Sequence, residues 1–367
     1  MRRTSSRSHS NSLHRSLSVI IPVFNGGRAF QVCLKSLAQY APAAVEVVVV
    51  VDGHDPASVA AATDFGATVI QLPRNYGPAH ARNVGAAAAR GELLFFVDAD
   101  VAIHPETIGA IAAVFDQPED DGLVALIGSY DDAPGSINFL SQYRNLLHHY
   151  THQQGRIEAS TFWGACGVIR RDVFLAVGGF NVAYRYPCIE DIELGYRLRR
   201  YGHRIALCKH IQVKHLKRWT VRSLLKADFF YRAIPWTELL WRDRTFVNDL
   251  NLDASSRLSV VSVYGLMLSL GLVLVWQPMS LVAVFCAATL LVLNSAVYQF
   301  FHQKRGLRFA AQTVAWHWLY YAYSGLAFVL GTASYWLNRH RIPPVDPPLA
   351  ATPPLARSRL VATAAKR

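Results

Sequence analysis

The fold is decided by the stretch Gly91–Asp100, GELLFFVDAD, in which five apolar residues run directly into two carboxylates. An unbroken apolar run of this length, Leu93–Val97, predicts a strand buried on both faces, as in the middle of a parallel sheet. Asp98 and Asp100 lie at positions i and i+2, so on a continuing strand both side chains point to one face. Because ligands of open α/β sheets bind outside the carboxyl ends of the strands, the stretch predicts two oxygen ligands for Mg²⁺ or Mn²⁺ there. The simpler alternative is a strand followed by a turn.

Outward from this stretch, the chain alternates between apolar strands and helical patterns. We predict strands at Leu17–Val23, Val45–Val51 and Thr68–Leu72, and helices at Arg28–Tyr40, Pro56–Phe65 and Ala79–Arg90. This alternation predicts an α/β fold of Rossmann-like type, with a mixed, mainly parallel sheet flanked by helices. The first strand–helix turn reads PVFNGGRAF and lacks the pattern GxGxxG, which argues against a dinucleotide-binding domain.

Composition narrows the choice of partners. The 367 residues carry a net charge of +12 and are 52% hydrophobic and 17% charged, with the apolar excess after about residue 257. A basic chain suits anionic partners such as nucleotide-sugar phosphates or anionic lipid. The sequence shows no aromatic–basic RNA signature and no zinc-finger spacing, so we expect no nucleic-acid partner. Its five cysteines form no CxxC pair, which favours a reducing, cytosolic setting over a disulfide framework.

Four motifs in order resemble the family 2 glycosyltransferases, which have the GT-A fold. They are IIPVFN, the strand that ends in Asp52-Gly53, NYGPAHARNVGAAAARG and FFVDAD. The resemblance covers about residues 17–220, and it implies an inverting transferase that uses a UDP- or GDP-linked sugar donor with Mg²⁺ or Mn²⁺. The family usually carries two Asp residues before the Gly of the second strand, and here the first of these positions is Val51.

The resemblance also implies a role for individual residues. Donor binding falls to Pro22, Phe24, Asn25, Asp52, Arg82, Asn83 and Asp98, and metal binding falls to Asp98, Asp100 and His215. A carboxylate at Asp52 could accept the N–H of a uracil or guanine base, and the planar guanidinium of Arg82 could pair with the nucleotide or a phosphate. The simpler alternatives are a turn aspartate and a solvated helix charge. The metal ion would offset the charge that develops on the departing diphosphate.

A second chemical centre begins at Glu190. Its hydrophobic periodicity predicts an amphipathic helix over Asp191–Tyr201, closed by Gly202. Acidic residues in a first helical turn can simply complement the helix dipole. The segment is also similar to the ED motif of cellulose-synthase-like relatives, whose Asp is the catalytic base. We therefore predict that Asp191 takes the proton of the acceptor hydroxyl and that Glu190 positions the acceptor or the metal shell.

Two further segments are predicted to serve the acceptor and the diphosphate. The resemblance places the small residues Gly164 and Ala165 beside the donor sugar and the acceptor, where they would let a substrate approach the backbone closely. The simpler alternative is a tight strand crossing. The stretch HLKRW at 215–219 resembles the QxxRW motif of processive polysaccharide synthases, with His215 in place of Gln. The resemblance places His215 near the metal or diphosphate, Arg218 at the diphosphate and Trp219 under the acceptor sugar. A basic interfacial patch before membrane helices is the alternative.

Histidines are concentrated at His148-His149-Tyr150 and His152, at the end of a predicted helix. This arrangement suggests a metal cluster, but it lacks a spaced set of partner ligands. We therefore expect an exposed or interfacial helix end there.

The C-terminal half predicts a membrane anchor. Residues 221–257 mix aromatic and apolar residues with Arg and Lys, which is typical of amphipathic interfacial helices. Within residues 258–337, three apolar runs are long enough to span a hydrocarbon core: Leu258–Trp276, Met279–Phe301 and Phe309–Leu337. Residues 1–16 form a predicted basic, disordered tail, and residues 338–367 form a Pro/Arg-rich tail.

Basic residues predict the orientation of this anchor. Arginines before the first run and the basic segment 302–308 place the catalytic domain and that segment in the cytoplasm. Three spans would then put the basic C-terminal tail outside, against the same rule. Either the third run is re-entrant or interfacial and does not cross the membrane, or it crosses and the tail lies outside despite its positive charges.

Together these patterns predict a membrane-bound, multi-pass inverting glycosyltransferase that moves a sugar to a lipid-linked or membrane-proximal hydroxyl. A processive polysaccharide synthase is the nearest alternative, suggested by HLKRW, although three spans are few for a translocation channel. A non-catalytic GT-A-like membrane scaffold is a second alternative, but a scaffold needs neither the DAD nor the ED carboxylates.

Overall fold

A computed structural model describes residues 15–117, 122–244 and 253–339. The strands are β1 Leu17–Val23, β2 Glu46–Asp52, β3 Thr68–Leu72, β4 Leu93–Val97, β5 Val101–Ile103, β6 Leu123–Tyr130, β7 Cys166–Arg170 and β8 Arg204–His215. Around the sheet lie α1 Gly27–Tyr40, α2 Pro56–Phe65, α3 Pro78–Ala88, α4 Thr107–Phe115, α5 Phe139–Gln154, α6 Arg171–Ala176 and α7 Glu190–Arg200. The remaining helices are α8 Val221–Lys226, a π-helix Ala227–Ala233, α9 Ile234–Asp243, α10 Ala254–Leu272, α11 Met279–Leu293, α12 Ser295–Arg305 and α13 Leu307–Asn338.

The sheet is mixed and mainly parallel and is flanked by helices, as predicted. Its strand order is β3-β2-β1-β4-β7-β6-β8-β5. The pairs β3–β2, β2–β1, β1–β4 and β6–β8 are parallel, whereas β7 runs antiparallel to both β4 and β6, and β5 runs antiparallel to β8. The carboxyl ends of β2, β1 and β4 therefore meet at one edge of the sheet, where α/β folds bind their ligands.

The central strand β4 is buried on both faces, which confirms the prediction from its unbroken apolar run. Phe95 packs into the apolar cluster on the α1 side of the sheet, and Phe96 packs into the cluster on the α3 side. All five side chains of Leu93–Val97 are at most 1% exposed. Full burial of such a side chain stabilises the fold by roughly 1.5–3 kcal/mol, so this strand is a main source of core stability.

The helices after the catalytic domain differ from the predicted three spans. Among the described residues, α10 by itself is long and apolar enough to cross a membrane, and α11 with α12 qualifies only if this pair, bent by 61°, counts as one span. The prediction of about three spans is thus corrected to one or two by length and composition. The third predicted run, Phe309–Leu337, lies in α13 and does not qualify.

Helix α13 instead lies along the rest of the protein. Near its start, Ala310 packs with Tyr143 and Leu146 of α5. Farther along, the Tyr323 hydroxyl donates to Asp228 of the π-helix, and Trp241 of α9 donates to the hydroxyl of Thr332. These contacts extend over most of its 32 residues, so α13 packs against the rest of the protein, and an interfacial position for this segment stays a prediction.

The basic segment 302–308 contacts the catalytic domain. Lys304 lies 2.6 Å from a carboxylate oxygen of Asp132, and Arg305 donates to the side chain of Gln142 and to the carbonyl of Asp132. The segment is therefore held against the predicted catalytic domain. Most of both predicted tails, and residues 245–252 of the predicted interfacial region, fall outside the described residues.

Gly195 lets α7 lie directly against the segment that precedes β7. A methyl group at this position would overlap the backbone of Thr161 and Phe162. We expect Gly195→Ala to destabilise the protein by about 1–3 kcal/mol, because the backbone contact has no flexible side chain that can yield. Urea unfolding followed by tryptophan fluorescence measures the effect. The control is Gly271→Ala, which adds a methyl group in open space on α10; equal effects of the two substitutions would contradict this packing.

Candidate active site

The carboxyl edge of the sheet brings together the first group of predicted donor residues. Phe24 and Asn25 follow β1 and are exposed, and Pro22 is half-buried within that strand. Asp52 ends β2, and Asp98 follows β4 directly. Because β2, β1 and β4 are adjacent and parallel, these residues lie along one edge.

Arg82 on α3 joins the two carboxylate centres. Its Nη2 donates to Asp98 Oδ1 at 2.6 Å, and its Nη1 donates to Glu190 Oε1 at 2.7 Å. Burial alone would lower the pKa of Arg82, but the charges of Asp98, Glu190 and Asp191 outweigh burial and raise it. The guanidinium is therefore a permanent positive charge that joins Asp98 to Glu190, a residue 108 positions away from Arg82 in the chain.

Because Gly164 has no side chain, the backbone at this position leaves room for the Arg82 guanidinium. A side chain there would lie 2.9 Å from Arg82 Cζ. Gly164 precedes β7, whose Cys166 pairs with Val97 of β4, so the register places it beside the DAD segment. We predicted that Gly164 leaves space for a substrate. In the structure, the space beside Gly164 is occupied by the side chain of Arg82. Ala165 next to it is buried.

Glu190 is fully engaged within the protein. Its Oε1 accepts from Arg82 and its Oε2 accepts from the backbone N–H of Cys188. Only 3% of the residue is exposed. Glu190 therefore positions Arg82, which differs from the predicted contact with an acceptor or a metal shell.

Asp191 has the properties of a general base. Its Oδ2 accepts from the Gly164 N–H at 3.0 Å, and its Oδ1 accepts from the Ile192 N–H at 2.8 Å. Burial, reinforced by the charge of Glu190, raises the pKa of Asp191 to about 7. A carboxylate with a pKa near neutral is poised to take a proton at physiological pH.

The DAD segment turns at its end instead of continuing as a strand. The Val101 N–H donates to the Asp98 carbonyl at 3.0 Å, so the simpler alternative of a strand followed by a turn is the one observed. Both carboxylates nevertheless remain reachable, because the side chains of Asp98 and Asp100 are 31% and 28% exposed.

The charges and donor atoms of this cleft fit a divalent cation. Asp98, Asp100 and Glu190 supply three carboxylates against the single guanidinium of Arg82, which leaves negative charge uncompensated. Burial lowers the pKa of His215 to about 4, so its imidazole is neutral, the form that ligates metals. Its Nε2 lies 3.9 Å from Asp100 Oδ2.

A protein-only cage is nevertheless not formed. Within the described ranges, no group of three His, Cys, Asp or Glu residues is arranged to hold a metal ion, so Asp98, Asp100 and His215 are not a preassembled set. Mg²⁺ is usually held by one or two carboxylates together with substrate phosphates and water. Asp98 and Asp100 match that pattern, with His215 beside them.

An aromatic wall adjoins the cleft. The ring of Tyr130, at the end of β6, stacks on His215 with centroids 4.3 Å apart, and Trp163 meets Tyr130 edge-on at 4.7 Å. No motif in the sequence points to Tyr130 or Trp163, and His148 is visible only as part of a cluster of histidines. His149 and His152 are buried and bond to the carbonyls of Tyr130 and Gly128, so the alternative of an exposed helix end is wrong, whereas an interfacial helix end stays a prediction.

With this geometry in place, the family match becomes informative. Residues 18–178 match the family model of Glycosyl transferase family 2. This family 2 segment contains Asp52, Arg82 and the DAD carboxylates, and the match supports the resemblance inferred from the motifs.

Two curated relatives are similar to the chain over about half of its length. An uncharacterized glycosyltransferase of Haemophilus influenzae is 27% identical over 185 residues, which are 50% of this chain and 61% of the relative. The pre-mycofactocin glycosyltransferase of Mycobacterium tuberculosis is 30% identical over 241 residues, which are 59% of this chain and 47% of the relative. The chain thus spans less than two thirds of the length of either relative.

Solved structures of glycosyltransferases are also similar to the chain. Mannosyltransferase PcManGT from Pyrobaculum calidifontis, solved in complex with GDP-Man and Mn²⁺, gives a TM-score of 0.47 at 14% identity, covering 89% of this chain and 88% of that one. S. aureus TarS gives 0.45 at 22% identity, covering 61% and 38%.

Two predicted donor-binding residues within the matched segment, Asp52 and Asn83, form hydrogen bonds with backbone groups of the protein. Asp52 accepts from the N–H groups of Tyr76 and Gly77, both at 2.8 Å, so each carboxylate oxygen already has a partner. Asn83 exchanges two hydrogen bonds with the backbone of Phe180. Direct contact of either side chain with a nucleotide stays a prediction.

The residues of HLKRW at 215–219 do not all lie at the cleft. His215 lies beside Asp100, and Arg218 is exposed. Trp219 is 8% exposed and packs with Leu140 and Leu224, with Lys217 over its ring. A buried ring does not offer a face to an acceptor sugar, so the structure does not favour the predicted stacking role of Trp219.

The raised pKa of Asp191 predicts a pH-dependent stability. Between pH 4 and pH 7 the folded state holds this proton and the unfolded state has lost it, so stability falls as pH rises through that window. Asp191→Asn removes this titration. The unfolding free energy of the variant should therefore rise relative to wild type, by at least about 1 kcal/mol, between pH 5 and pH 8. Urea unfolding at both pH values measures it, with exposed Asp64→Asn as control. Parallel pH curves for wild type and Asp191→Asn would contradict the assignment.

Proposed function

We propose that this chain is an inverting glycosyltransferase that moves a sugar from a nucleoside-diphosphate donor to a hydroxyl acceptor. The observation that carries the proposal is the contact of Arg82 with both Asp98 and Glu190, which joins the DAD and ED segments in one cleft. The family 2 match and relatives named as glycosyltransferases support the same activity.

Asp191 performs the proton transfer in this proposal. The acceptor hydroxyl gives its proton to the Asp191 carboxylate as its oxygen forms a bond to the anomeric carbon. The bond from that carbon to the diphosphate breaks on the opposite face, and the nucleoside diphosphate leaves with the bonding electrons. The N–H groups of Gly164 and Ile192 hold the carboxylate in place during this step. A single base on one face of the sugar gives inversion.

The donor diphosphate lies near Asp98 and Asp100 in this arrangement. Mg²⁺ or Mn²⁺ would be held there by these carboxylates, with His215 nearby, and would offset the charge on the leaving diphosphate. Arg82 keeps Asp98 oriented and holds Glu190 at the start of α7, so the two halves of the cleft keep a fixed relative position. Phe24 and Asn25, exposed after β1, face the same edge and remain candidates for the nucleotide.

The alternatives are less well supported by the geometry. The buried ring of Trp219 is unlike an open stacking platform, which weakens the case for a processive polysaccharide synthase. A scaffold would gain nothing from burying Asp191 at a cost to stability, whereas a catalytic base requires that environment.

We also propose that α10 and α11 anchor the chain in the cell membrane. No charged residue occurs between Arg257 and Lys304, and α10 and α11 leave large apolar side chains exposed, among them Leu268, Val284 and Phe285. By the positive-inside rule, the basic residues at both ends support a cytoplasmic position for these ends and for the catalytic domain that Lys304 contacts. The acceptor is then lipid-linked or membrane-proximal.

Replacing the proposed base should separate chemistry from donor binding. A screen of UDP- and GDP-sugars with Mn²⁺ first identifies the donor by release of nucleoside diphosphate from the full-length protein. For Asp191→Asn we expect at least about a hundredfold slower release, because only the proton acceptor is lost. Its Kd for the nucleoside diphosphate should match wild type. The matched control, Asp64→Asn on the exposed face of α2, should keep the wild-type rate. Wild-type turnover by Asp191→Asn would rule out the role.

The proposed metal ligand is tested by nucleotide binding instead of turnover. Wild type should bind the nucleoside diphosphate more tightly when Mn²⁺ is present, and Asp100→Ala should lose at least about tenfold of that gain, since one of two carboxylate ligands is gone. Calorimetric titration with and without Mn²⁺ measures it, with exposed Asp116→Ala as the control. An unchanged Mn²⁺ effect in Asp100→Ala is the outcome that excludes this ligand.

A further inference from the structure

A small cavity, lined in part by Asp191, opens next to the predicted base. Its volume is about 100 Å³, well below the roughly 300–1,000 Å³ of pockets that enclose a whole drug-sized ligand. Helix α5, the segment before β7, the start of α7, the π-helix and α9 all contribute to it. The lining includes Arg144, His148, Trp163, Asp191, Arg232 and Trp236. Such a cavity holds one end of a molecule whose other part lies outside.

Two arginines of this lining share one carboxylate. Arg144 and Arg232 both contact Asp228 Oδ1, at 3.1 and 3.2 Å, and the other oxygen, Oδ2, accepts from the Tyr323 hydroxyl at 2.9 Å. Asp228 is 5% exposed and supplies a single negative charge to two guanidiniums. Among the described residues that line the cavity, Asp191 is the only carboxylate. The Arg232 guanidinium meets Asp228 through Nη1 and its side chain is 39% exposed, so it keeps further N–H donors that can meet an anionic ligand.

A buried nitrogen in the same lining has no partner. His148 Nδ1 is inaccessible to solvent and makes no hydrogen bond in the structure. Burial, together with neighbouring His152, keeps the pKa of His148 well below its usual value, so the imidazole is neutral. Rings of His152 and Trp163 lie 4.1 and 4.6 Å from it and fix its position. Within the described residues this nitrogen is one of several buried polar atoms without a partner, and the adjoining cavity leaves room for a ligand or water atom to bond to it.

We propose that this cavity binds the acceptor through an anionic group, a phosphate or a carboxylate, that lies next to the accepting hydroxyl. Arg144 and Arg232 hold the anion, Asp228 positions both arginines, and the hydroxyl meets Asp191. Trp163 and Trp236 cover the adjoining carbon atoms. The inference rests on the proposed function, because it takes Asp191 as the base. The anion can belong to a lipid headgroup or to a water-soluble phosphate, and the test separates these sources.

The test measures ligand binding by the full-length protein in nanodiscs of neutral phosphatidylcholine. Saturating nucleoside diphosphate and Mn²⁺ are present throughout, so that the donor site is filled. The probes are n-butyl phosphate, inorganic phosphate and neutral n-butyl glucoside, each titrated calorimetrically. Wild type should bind n-butyl phosphate on the order of tenfold more tightly than n-butyl glucoside, because only the phosphate gains charge-assisted hydrogen bonds. If inorganic phosphate binds as tightly as n-butyl phosphate, the source is a soluble anion; if it binds more weakly, an alkyl phosphate such as a lipid headgroup is favoured.

Arg232 is the residue to change, because its side chain is 39% exposed and its removal leaves Arg144 paired with Asp228. Arg232→Ala should weaken n-butyl phosphate about tenfold without weakening n-butyl glucoside, and Arg232→Lys should recover part of the loss. The control is Arg222→Ala, an exposed arginine on α8. Equal binding of the charged and neutral probes by wild type, or equal affinities of Arg232→Ala and Arg222→Ala, overturns the proposal.

Release of nucleoside diphosphate from the sugar donor is measured on the same preparations. Donor turnover by wild type without a preference for the anionic probe would sink only the anionic acceptor. A lack of donor turnover with every UDP- and GDP-sugar would instead sink the proposed function, whatever the probes show.

Discussion

The site depends on one guanidinium that is buried between two carboxylates. Arg82 is 4% exposed, and Glu190 is 3% exposed. Removing one partner from a buried, hydrogen-bonded ion pair typically costs about 3–5 kcal/mol, because a charge is left without compensation. The chain meets the geometric requirements of this arrangement with glycines: Gly164 leaves room for the guanidinium, and Gly195 lets α7 approach the segment that carries Gly164. The family 2 segment and the helix that bears Asp191 are thereby held in a fixed relation.

Holding these charged side chains together lowers the stability of the folded protein but creates a site suited to binding and proton transfer. Negative charge accumulates at Asp98, Asp100 and Glu190 beyond what Arg82 neutralises, and the burial of Asp191 adds to the strain. Such unfavourable electrostatics are common at functional sites, where binding or proton transfer relieves them. Asp228, whose two arginine partners line the cavity beside Asp191, ties α5, the π-helix and α13 together. The proposed acceptor cavity and helix α13 therefore depend on the same carboxylate.

Local patterns were enough to predict the sheet and the two carboxylate segments. Leu93–Val97 could only be a buried strand, and the alternation around it gave bounds within a residue or two of those observed. The bridge by Arg82 could not be predicted, because no spacing in the sequence relates residue 82 to residue 190. The predicted role of Trp219 came from its resemblance to the QxxRW motif. Its burial depends on Leu140 and Leu224, which belong to other elements and are not part of that motif. Helix α13 looked like a span because apolar residues suit a lipid surface and a protein surface equally well.

A double-mutant cycle on Arg82 and Glu190, measured as free energies of urea unfolding, tests most directly whether Arg82 joins the two carboxylate centres in one cleft. Glu190→Gln should destabilise the protein while Arg82 is present, because the buried ion pair is lost. In the Arg82→Met background the same substitution should stabilise it, because it removes a carboxylate that would otherwise face Asp98 uncompensated. We expect a coupling of about 1–3 kcal/mol with this change of sign. Additive effects, within about 0.5 kcal/mol, would show that Arg82 does not join the two carboxylate centres in one cleft.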